Sequence, residues 1–359
     1  MWKRFQRGRT KHRRMAATLS DVARRAGVSE ATASRVLNGR RYVAVGTRER
    51  VERAAIDLDY IPNRAARDLS TASTTTVALL VHHAQYPAHG EGTFSSRVVD
   101  GISRALRAAG HDLLYVPVDD AGAKSLARIS SIRPGRADGI VVLGPAFPRA
   151  ALRQLADTGR PMIVVDNRLP GVDGVLADNR IAMRTLATHL VADHEYERLV
   201  CLAGPASWPS TAERLAGVRD AAADHGATVT VLRARETTMR DGALLAGRLP
   251  PERFDAVVAV NDAMAIGAMH RLRGTGHALP ITGFDDIAWA SVTEPPLTTV
   301  SVDAGVIGEE AARRLLARLA SDTDTPMPPR EIRVAATVRL RRSCGCTEPP
   351  THPEAPNGR

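Results

Sequence analysis

Short amphipathic helices are the first pattern along the chain. Between Leu19 and Ala26, apolar side chains recur at i, i+3, i+4 and i+7, which predicts a helix with one apolar face. The stretch Thr18-Leu-Ser-Asp21 is similar to a capping box and predicts the start of this helix. Gly27 predicts its end, because glycine adopts the left-handed conformation that often follows a helix.

A second helix is predicted after a short turn. Ser29 is its expected cap, and it runs to about Asn38 with an apolar stripe of Ala33, Val36 and Leu37. A third helix is predicted from about residue 47 to residue 58. Two helices joined by a turn of about three or four residues that contains glycine are typical of a helix-turn-helix, whose second helix enters the major groove of DNA. The alternative is a small helical domain without a role in DNA binding.

On the first interpretation, the outward side chains of the second helix face DNA. Arg35 can make a bidentate hydrogen bond to guanine. The hydroxyl groups of Ser29, Thr32 and Ser34 can bind phosphate oxygens. The outward side chains are Glu30, Ala31, Thr32, Ser34, Arg35 and Asn38.

From residue 77 onwards, predicted strands and helices alternate. The strands are Val77–Val81, Leu113–Val116, Gly139–Leu143, Met162–Val165, Leu199–Ala203 and Ala256–Val260. The helices include Ser96–Ala109, Ala150–Thr158, Ile181–Ala192, Ala212–Asp224 and Ala263–Arg273. This alternation predicts an α/β body with parallel sheets and helices on both faces. Because about 280 residues exceed the usual size of a single hydrophobic core, we expect two lobes behind a small all-α domain.

Polar side chains follow several of these strands. Asp166, Asn261 and Asp285 stand at strand ends, and Ser210 and Arg214 begin the helix after another strand. Ligands of such sheets bind at the carboxyl ends of the strands. Carboxylates and amides exchange hydrogen bonds with sugar-like hydroxyl groups, and arginine anchors them, so these residues are candidates for a ligand site. The alternative for each Asp or Asn is a helix cap.

Positive charge is concentrated at the start of the chain. Residues 1–70 hold 17 Lys or Arg and 7 Asp or Glu, which accounts for the whole net charge of +10. A basic segment beside a neutral body indicates a polyanion as its partner, and a tail that aids solubility is the alternative. Residues 1–17 are expected to be a disordered basic arm, unless Met15 is the true start.

Several other classes of protein find no support in the sequence. No apolar run reaches the length of a membrane helix, and the basic first residues lack the apolar segment of a secretory signal. A cytoplasmic protein without membrane contact is therefore expected. Motifs for nucleotide binding, metalloproteases and serine hydrolases are missing, so we expect no enzyme activity.

The cysteines predict neither a disulfide framework nor a metal site. Cys201, Cys344 and Cys346 are an odd and sparse set, typical of a reducing compartment. Cys344-Gly-Cys346 is a possible pair of metal ligands, but no matching Cys or His pair stands nearby in the sequence. We therefore expect no metal and no cofactor.

Longer motifs resemble a known family. TLSDVARRAGVSEATASRVLNG, TRERV and YIPNRAARDL, within residues 18–70, resemble the DNA-binding headpiece of the lactose repressor (LacI/GalR) family. GPASWPSTAERLAGVRDA, VAVNDAMAIGAM, GFDD and PPLTTVSVD then stand in the order of the family, so the resemblance covers nearly the whole chain.

This resemblance implies a transcriptional regulator, acting as a repressor, that binds a pseudo-palindromic operator in double-stranded DNA as a homodimer. The body then resembles the two-lobed periplasmic sugar-binding proteins, with a small sugar-like effector in the cleft. Asn63 to Leu69 matches the hinge helix of the family, which folds in the minor groove. Leu69 matches the leucine that the family inserts between base pairs.

Site residues follow from the pattern and the resemblance together. The expected DNA-binding residues are Thr18, Ser29, Glu30, Ala31, Thr32, Ser34, Arg35, Asn38, Asn63, Arg64 and Leu69. The expected effector-binding residues are Phe94, Asp166, Ser210, Arg214, Asn261 and Asp285. The sequence departs from the family at Ala44 and Gly46, where a polar helix start is usual, and between Pro280 and Gly283, where the strand before Asp285 is shorter.

The expected domains are a helix-turn-helix domain at 18–62, a hinge helix and linker at 63–75, an effector-binding and dimerisation domain at 76–342, and a disordered tail at 343–359. Two other functions stay open. A solute-binding protein for transport fits the body but not the headpiece. A DNA binder that has lost its ligand pocket is the other, because the segment before Asp285 is shortened. The sequence names neither the effector nor the operator, and it does not separate repression from activation or inducer from corepressor.

Overall fold

The structure, a computed structural model, describes residues 17–37, 43–60, 74–82, 93–273, 279–321 and 327–347. The chain divides into two compact units, Met1–Ala72 and Ser73–Arg359. This division falls inside the segment predicted as hinge and linker. Four of the expected DNA-binding residues, Asn38, Asn63, Arg64 and Leu69, lie outside the described residues.

The first unit contains the predicted helices α1 (Leu19–Ala26), α2 (Glu30–Leu37) and α3 (Val45–Asp57). Their apolar faces meet in one small core that includes Val22, Val36 and Val51. The turn between α1 and α2 contains Gly27 at φ +66°, a left-handed conformation that a residue with a Cβ adopts only with strain. The N-cap of α3, Ala44, makes no side-chain hydrogen bond, as the missing polar start predicts.

The first lobe of the second unit is built on a parallel sheet. Its strands are β1 (Thr76–His82), β2 (Asp112–Val118), β3 (Gly139–Leu143), β4 (Met162–Val165), β5 (Asp173–Ala177) and β11 (Glu331–Val334), in the order β11-β5-β4-β3-β1-β2. Its helices are α4 (Phe94–Ala108), α5 (Arg149–Ala156) and α10 (Ala304–Ala320). The inner strands are buried along their whole length, which explains their unbroken apolar runs.

The second lobe repeats this plan. Its parallel strands are β6 (Arg198–Ala203), β7 (Thr228–Arg233), β8 (Ala256–Ala259) and β9 (Ile281–Thr282), in the order β7-β6-β8-β9. Its helices are α6 (Asn179–Thr188), α7 (Pro209–Asp224), α8 (Met239–Ala246) and α9 (Asp262–Arg273). An antiparallel pair, β10 (Thr299–Val302) and β12 (Ala336–Arg339), continues the edge at β9 through two isolated bridges.

The chain passes between the lobes more than once, after β5, after β10 and after β11. A two-lobed body joined by several segments places the carboxyl ends of both sheets around one cleft. The predicted fold class, a two-lobed α/β body of parallel sheets with a small helix-turn-helix domain, is confirmed. Among the described residues, no helix is both long and apolar enough to cross a membrane.

The end of the chain corrects one predicted boundary. Ser343 and Cys344 are buried in the second lobe. The Ser343 N–H donates to Pro296 O (3.0 Å), and its carbonyl accepts from the Ile281 N–H (2.8 Å). The disordered tail predicted from residue 343 is therefore wrong for these residues, because backbone pairing beside β9 holds them. Residues 348–359 lie outside the described part.

Candidate functional site

Helix α2 presents the predicted DNA-facing side chains on one exposed surface. Glu30, Ala31 and Arg35 are exposed, and Thr32 and Ser34 are half-buried. The opposite face of the helix, with Ala33 and Val36, packs into the core. Helical periodicity therefore separates the side chains that could meet DNA from those that hold α2 in place.

Two predicted phosphate ligands also act as helix caps. The Thr18 hydroxyl donates to Asp21 Oδ2 (2.7 Å) and accepts from the Asp21 N–H (3.3 Å), so its one hydrogen is already engaged. Ser29 Oγ accepts from the Thr32 N–H (3.2 Å) and shares one further hydrogen bond with Thr32 Oγ1 (2.9 Å). One hydroxyl hydrogen of this pair stays available for a phosphate, whereas Thr18 would first have to leave Asp21.

The second unit contains a cleft of about 400 Å³ at the carboxyl ends of its two sheets. This volume lies within the range of about 300–1,000 Å³ that is usual for small-molecule sites. All predicted effector-binding residues line it: Phe94, Asp166, Ser210, Arg214, Asn261 and Asp285. Phe94, at the start of α4, comes from the first lobe, and Asp166 follows β4 of that lobe.

Arg214 is the most tightly held side chain of the cleft. It lies on α7 and is almost completely buried. Its Nε donates to Asn179 Oδ1 (2.8 Å), and a terminal nitrogen donates to Val260 O (2.7 Å). The guanidinium carbon lies 3.6 Å from the centre of the Phe284 ring. These contacts hold the guanidinium in one orientation, so it can bind an oxygen atom of a ligand without first changing its conformation.

Asp285 is the buried partner of Arg214. Its Oδ1 lies 3.3 Å from a terminal nitrogen of Arg214 and forms an ion pair with it. Within the described residues, this buried oxygen accepts no hydrogen bond. Burial raises the pKa of Asp285, although Arg214 and Arg97 act to lower it. The Asp285 N–H donates to Val300 O (2.8 Å), so pairing with β10 positions the residue despite the short strand before it.

Asp166 stands opposite this pair. It adopts φ +54° directly after β4, and the Ser210 hydroxyl donates to its Oδ2 (3.4 Å). Burial raises the pKa of Asp166 to about 7, against the opposing effect of Arg214, and the nearby Asp285 raises it further. A carboxyl group that is partly protonated near neutral pH can both donate and accept hydrogen bonds, which suits a hydroxyl group of a ligand.

Asn261 serves as a helix cap as well as lining the cleft. Its Oδ1 accepts from the Met264 N–H at the start of α9 (2.9 Å), and its Nδ2 donates to Thr237 O (2.9 Å). An amide NH₂ group carries two hydrogens, so one remains for a ligand. The cap and the ligand interpretations are therefore compatible at this residue.

The comparisons with protein families divide the chain as the structure does. The model for bacterial regulatory proteins of the lacI family matches residues 18–63. The model for periplasmic binding proteins and the sugar binding domain of the LacI family matches residues 74–338. The chain belongs to the LacI family of bacterial regulatory proteins.

Curated relatives of this LacI-family chain are transcriptional regulators. It is 33% identical over 334 residues to the HTH-type transcriptional regulator CelR of Thermobifida fusca, a match that covers 88% of this chain and 95% of CelR. It is 32% identical over 311 residues to AscG of Escherichia coli, with 83% and 91% covered. The HTH-type transcriptional repressor PurR of Vibrio campbellii is 32% identical over 315 residues, with 84% and 92% covered. The chain is thus a DNA-binding regulator of transcription rather than an enzyme.

Solved structures agree in fold. The lac repressor dimer bound to operator and the anti-inducer ONPF superposes with a TM-score of 0.80 at 25% identity, covering 92% of this chain and 99% of that one. The complex of CelR with cellobiose has a TM-score of 0.66 at 29% identity, with 91% and 99% covered.

The structure adds cleft residues that the sequence analysis missed. Trp208 precedes α7, and Trp289 lies in the turn after Ile287; both line the cleft, as do Glu236 and Arg240. The sequence offered a signal for Trp208 and Trp289, because the chain contains only three tryptophans. A rare, large aromatic residue that follows a predicted strand is a candidate for a ligand platform.

Proposed function

We propose that this LacI-family chain is a repressor that binds a pseudo-palindromic operator as a homodimer and that a sugar-like molecule in the cleft controls its affinity for DNA. As such a regulator it acts in the cytoplasm, on the bacterial chromosome. We include the hinge residues Asn63, Arg64 and Leu69 among the DNA-binding residues on the basis of the sequence resemblance alone.

The exposed face of α2 supports sequence-specific DNA binding. Arg35 projects from the helix without a role in the core, so its guanidinium is available for a guanine edge. Around it, the first 70 residues carry the whole positive excess of the chain, which attracts a phosphate backbone. The lac repressor in the matched structure binds its operator as a dimer, and two copies of α2 related by a two-fold axis would give a pseudo-palindromic site.

The combination of aromatic faces with buried carboxyl groups is the observation that carries the sugar assignment. Trp208, Trp289 and Phe94 offer apolar surfaces to the cleft, while Asp166, Asp285 and Arg214 offer hydrogen-bonding groups. A sugar ring has apolar faces and a rim of hydroxyl groups, and this arrangement matches both parts. CelR, a relative of similar length, is known in complex with cellobiose.

Control of DNA binding follows from thermodynamic linkage. A ligand shifts the affinity of a regulator for DNA only by its different affinities for the two conformations. Phe94 and Asp166 belong to the first lobe, whereas Arg214 and Asp285 belong to the second. A molecule that binds both pairs therefore favours one particular spacing of the lobes.

Selection of bound sites from a random DNA pool tests the DNA part of the proposal. Purified full-length protein at near-physiological salt is expected to recover a pseudo-palindrome with an easily kinked central step. The experiment is repeated in the presence of a panel of mono- and disaccharides. If both experiments recover only salt-sensitive, sequence-independent binding, the protein is not a specific dimeric DNA-binding protein.

Thermal shift with a panel of mono- and disaccharides that includes cellobiose tests the effector part. At least one sugar is expected to raise the melting temperature of the second unit and to change the affinity for the selected DNA. Trp208→Ala should abolish the shift, and Ile181→Ala, which removes an exposed apolar side chain of α6 outside the cleft, should keep it. If the protein selects a specific operator but no sugar changes its melting temperature or its affinity for that DNA, the effector part of the proposal is wrong.

A further inference from the structure

Two histidines and two cysteines from distant parts of the chain meet in the second lobe. His189 and His194 follow helix α6 and precede β6, and Cys344 and Cys346 follow β12. One ligand atom of each side chain lies within 4.8 Å of the others. The cluster lies before β6, whereas the cleft lies beyond the opposite, carboxyl end of this strand, so the two sites are separate.

We propose that His189, His194, Cys344 and Cys346 bind one Zn²⁺ ion in a closed tetrahedral site that fastens the end of the chain to the second lobe. This inference goes beyond the proposed function and does not depend on it.

The distances among His189 Nε2, His194 Nε2 and Cys346 Sγ match those expected around a tetrahedral ion. With Zn–S at about 2.3 Å and Zn–N at about 2.05 Å, tetrahedral angles place two nitrogens about 3.3 Å apart, a nitrogen and a sulphur about 3.6 Å apart, and two sulphurs about 3.8 Å apart. The two Nε2 atoms are 3.2 Å apart. Cys346 Sγ lies 3.6 Å from His189 Nε2 and 3.4 Å from His194 Nε2. The two sulphurs, at 3.4 Å, need to separate by roughly 0.4 Å.

The backbone places the two histidines side by side. Residues 189–193 form a π-helical turn instead of continuing α6. In an α-helix, residues five apart, such as His189 and His194, point about 140° away from each other around the axis. A π-turn closes its hydrogen bond between residues i and i+5 and so brings two such residues to the same side. The imidazole rings of His189 and His194 are 4.7 Å apart with an interplanar angle of 84°. Single π-turns of this kind are frequent at functional sites.

The neighbours of the cluster orient its ligands as outer groups of metal sites do. The Nδ1 atom of His189 lies 2.7 Å from Asp193 Oδ2, so that Nε2 is left to face the cysteines. A carboxylate behind a metal-binding histidine holds its ring and raises its basicity. The Thr298 hydroxyl donates to Cys344 Sγ (3.2 Å), a contact that suits a thiolate.

The turn between the two cysteines is shaped for this approach. Gly345 has φ +103°, and a Cβ built on it would lie 2.5 Å from Tyr196 Oη. The same hydroxyl donates to Cys344 O (3.2 Å), and the Tyr196 ring stacks on His194. A glycine here lets both thiols turn toward the histidines while the tyrosine covers the turn.

The chemistry of the ligand set favours zinc. Two thiolates and two imidazoles in a tetrahedron are the donors of structural Zn²⁺ sites, and a complete set of protein ligands leaves no position for a substrate. Such sites stabilise the fold instead of catalysing a reaction. Here the ion would join segments that lie more than 150 residues apart in the chain.

Metal analysis of the untagged, full-length protein tests the proposal. We expect one equivalent of zinc after purification without chelator. After its removal, Co²⁺ should restore one equivalent with the visible bands of a tetrahedral site and a sulphur-to-cobalt charge-transfer band. Less than a tenth of an equivalent of zinc together with no cobalt spectrum, or a disulfide between Cys344 and Cys346 in the freshly isolated protein, would overturn it.

Variants connect the signal to the four residues. Cys346→Ser and His194→Gln should lose the tetrahedral cobalt spectrum, whereas the matched controls Cys201→Ala and His225→Gln should keep it, because neither residue belongs to the cluster. Asp193→Asn should keep the spectrum and weaken the affinity about 10- to 100-fold, as expected for a group that acts through His189. Because cobalt is titrated into folded protein checked by circular dichroism, loss of the fold is recognised separately. Retention of the full spectrum in both ligand variants would contradict the assignment.

Discussion

Arg214 and Asp285 hold each other inside the cleft, with a guanidinium nitrogen 3.3 Å from Asp285 Oδ1 and both side chains largely buried. The two residues are 71 positions apart in the chain and meet because the end of α7 nearest the cleft lies beside the loop after β9. Within the described part of the chain, neither side chain forms a second ion pair, so the charge of each depends on the other.

Replacement of Arg214 should therefore affect both stability and ligand binding. Arg214→Ala leaves Asp285 buried without its partner, and removal of one member of such a pair typically costs about 3–5 kcal/mol in the free energy of unfolding. The double variant Arg214→Ala with Asp285→Asn should recover much of that loss but should not bind the effector. Thermal unfolding and the sugar shift measure the two effects. A normal effector response in the single variant would remove Arg214 from the site.

Asp166 should make the stability of the second unit depend on pH. Because its folded pKa of about 7 lies above the ordinary value of 3.8, the folded protein binds the extra proton between these values, and stability falls as pH rises from about 4 to 7. Asp166→Asn removes this loss, so it should stabilise the protein by about 1–3 kcal/mol at pH 8 and much less at pH 4. Unfolding curves across this range would show the difference; an equal effect at both ends would contradict a raised pKa.

Arg35 should determine base preference. Arg35→Ala is expected to weaken binding to the selected operator by about 1–3 kcal/mol and to relax the preference at one base pair. Arg53→Ala, which removes an exposed positive charge from α3, provides a control for the loss of charge alone. Fluorescence anisotropy on the selected site and on its single-base variants makes the comparison. An unchanged sequence preference would exclude Arg35 as a base reader.

Asp173 should contribute strongly to the stability of the first lobe. It is fully buried, and it accepts hydrogen bonds from Arg318, from Arg314 Nε (3.0 Å) and from the Arg330 N–H (2.6 Å). Although burial opposes it, these contacts lower the pKa of Asp173. Its contribution is therefore present above about pH 4 and is lost as pH falls through the lowered pKa.

Asp173→Asn should destabilise the second unit by about 3 kcal/mol at pH 7 and flatten its acid unfolding. Asp220→Asn, in the exposed pair with Arg180, is the matched control and should cost less than about 1 kcal/mol. Similar losses in the two variants would show that burial of Asp173 adds nothing.

Most inner strands followed from the sequence because their patterns are local, although the buried strand β5 and helix α10 were not among the predicted elements. β3 and β4 have the predicted limits, since an unbroken apolar run is typical of a strand that is buried on both faces. The edge strands β7 and β11 were not predicted. Their residues are exposed or half-buried, so they lack the unbroken apolar run by which the inner strands were recognised. α6 was predicted as one helix to residue 192, and its π-helical end has no signal in apolar periodicity.

For the cleft, the strand-end rule found the polar residues and missed the aromatic ones. Asp166 follows β4 directly and Asn261 is the second residue after β8, so the strand itself determines where each side chain lies. Trp289 is seven residues beyond Thr282, the end of β9, and its approach to the cleft depends on how the intervening turns fold. No local pattern contains that information.

By itself, the sequence determined the helix-turn-helix, the parallel α/β body and the polar strand ends, because periodicity, caps and strand termini are properties of neighbouring residues. Tertiary structure alone decided that Arg214 meets Asp285, that Trp208 and Trp289 enter the cleft, and that Ser343 and Cys344 are buried. It also decided that Cys344 and Cys346 meet His189 and His194, a histidine pair that is distant from them in the sequence. These contacts join residues far apart in the chain, and the packing of whole lobes brings them together.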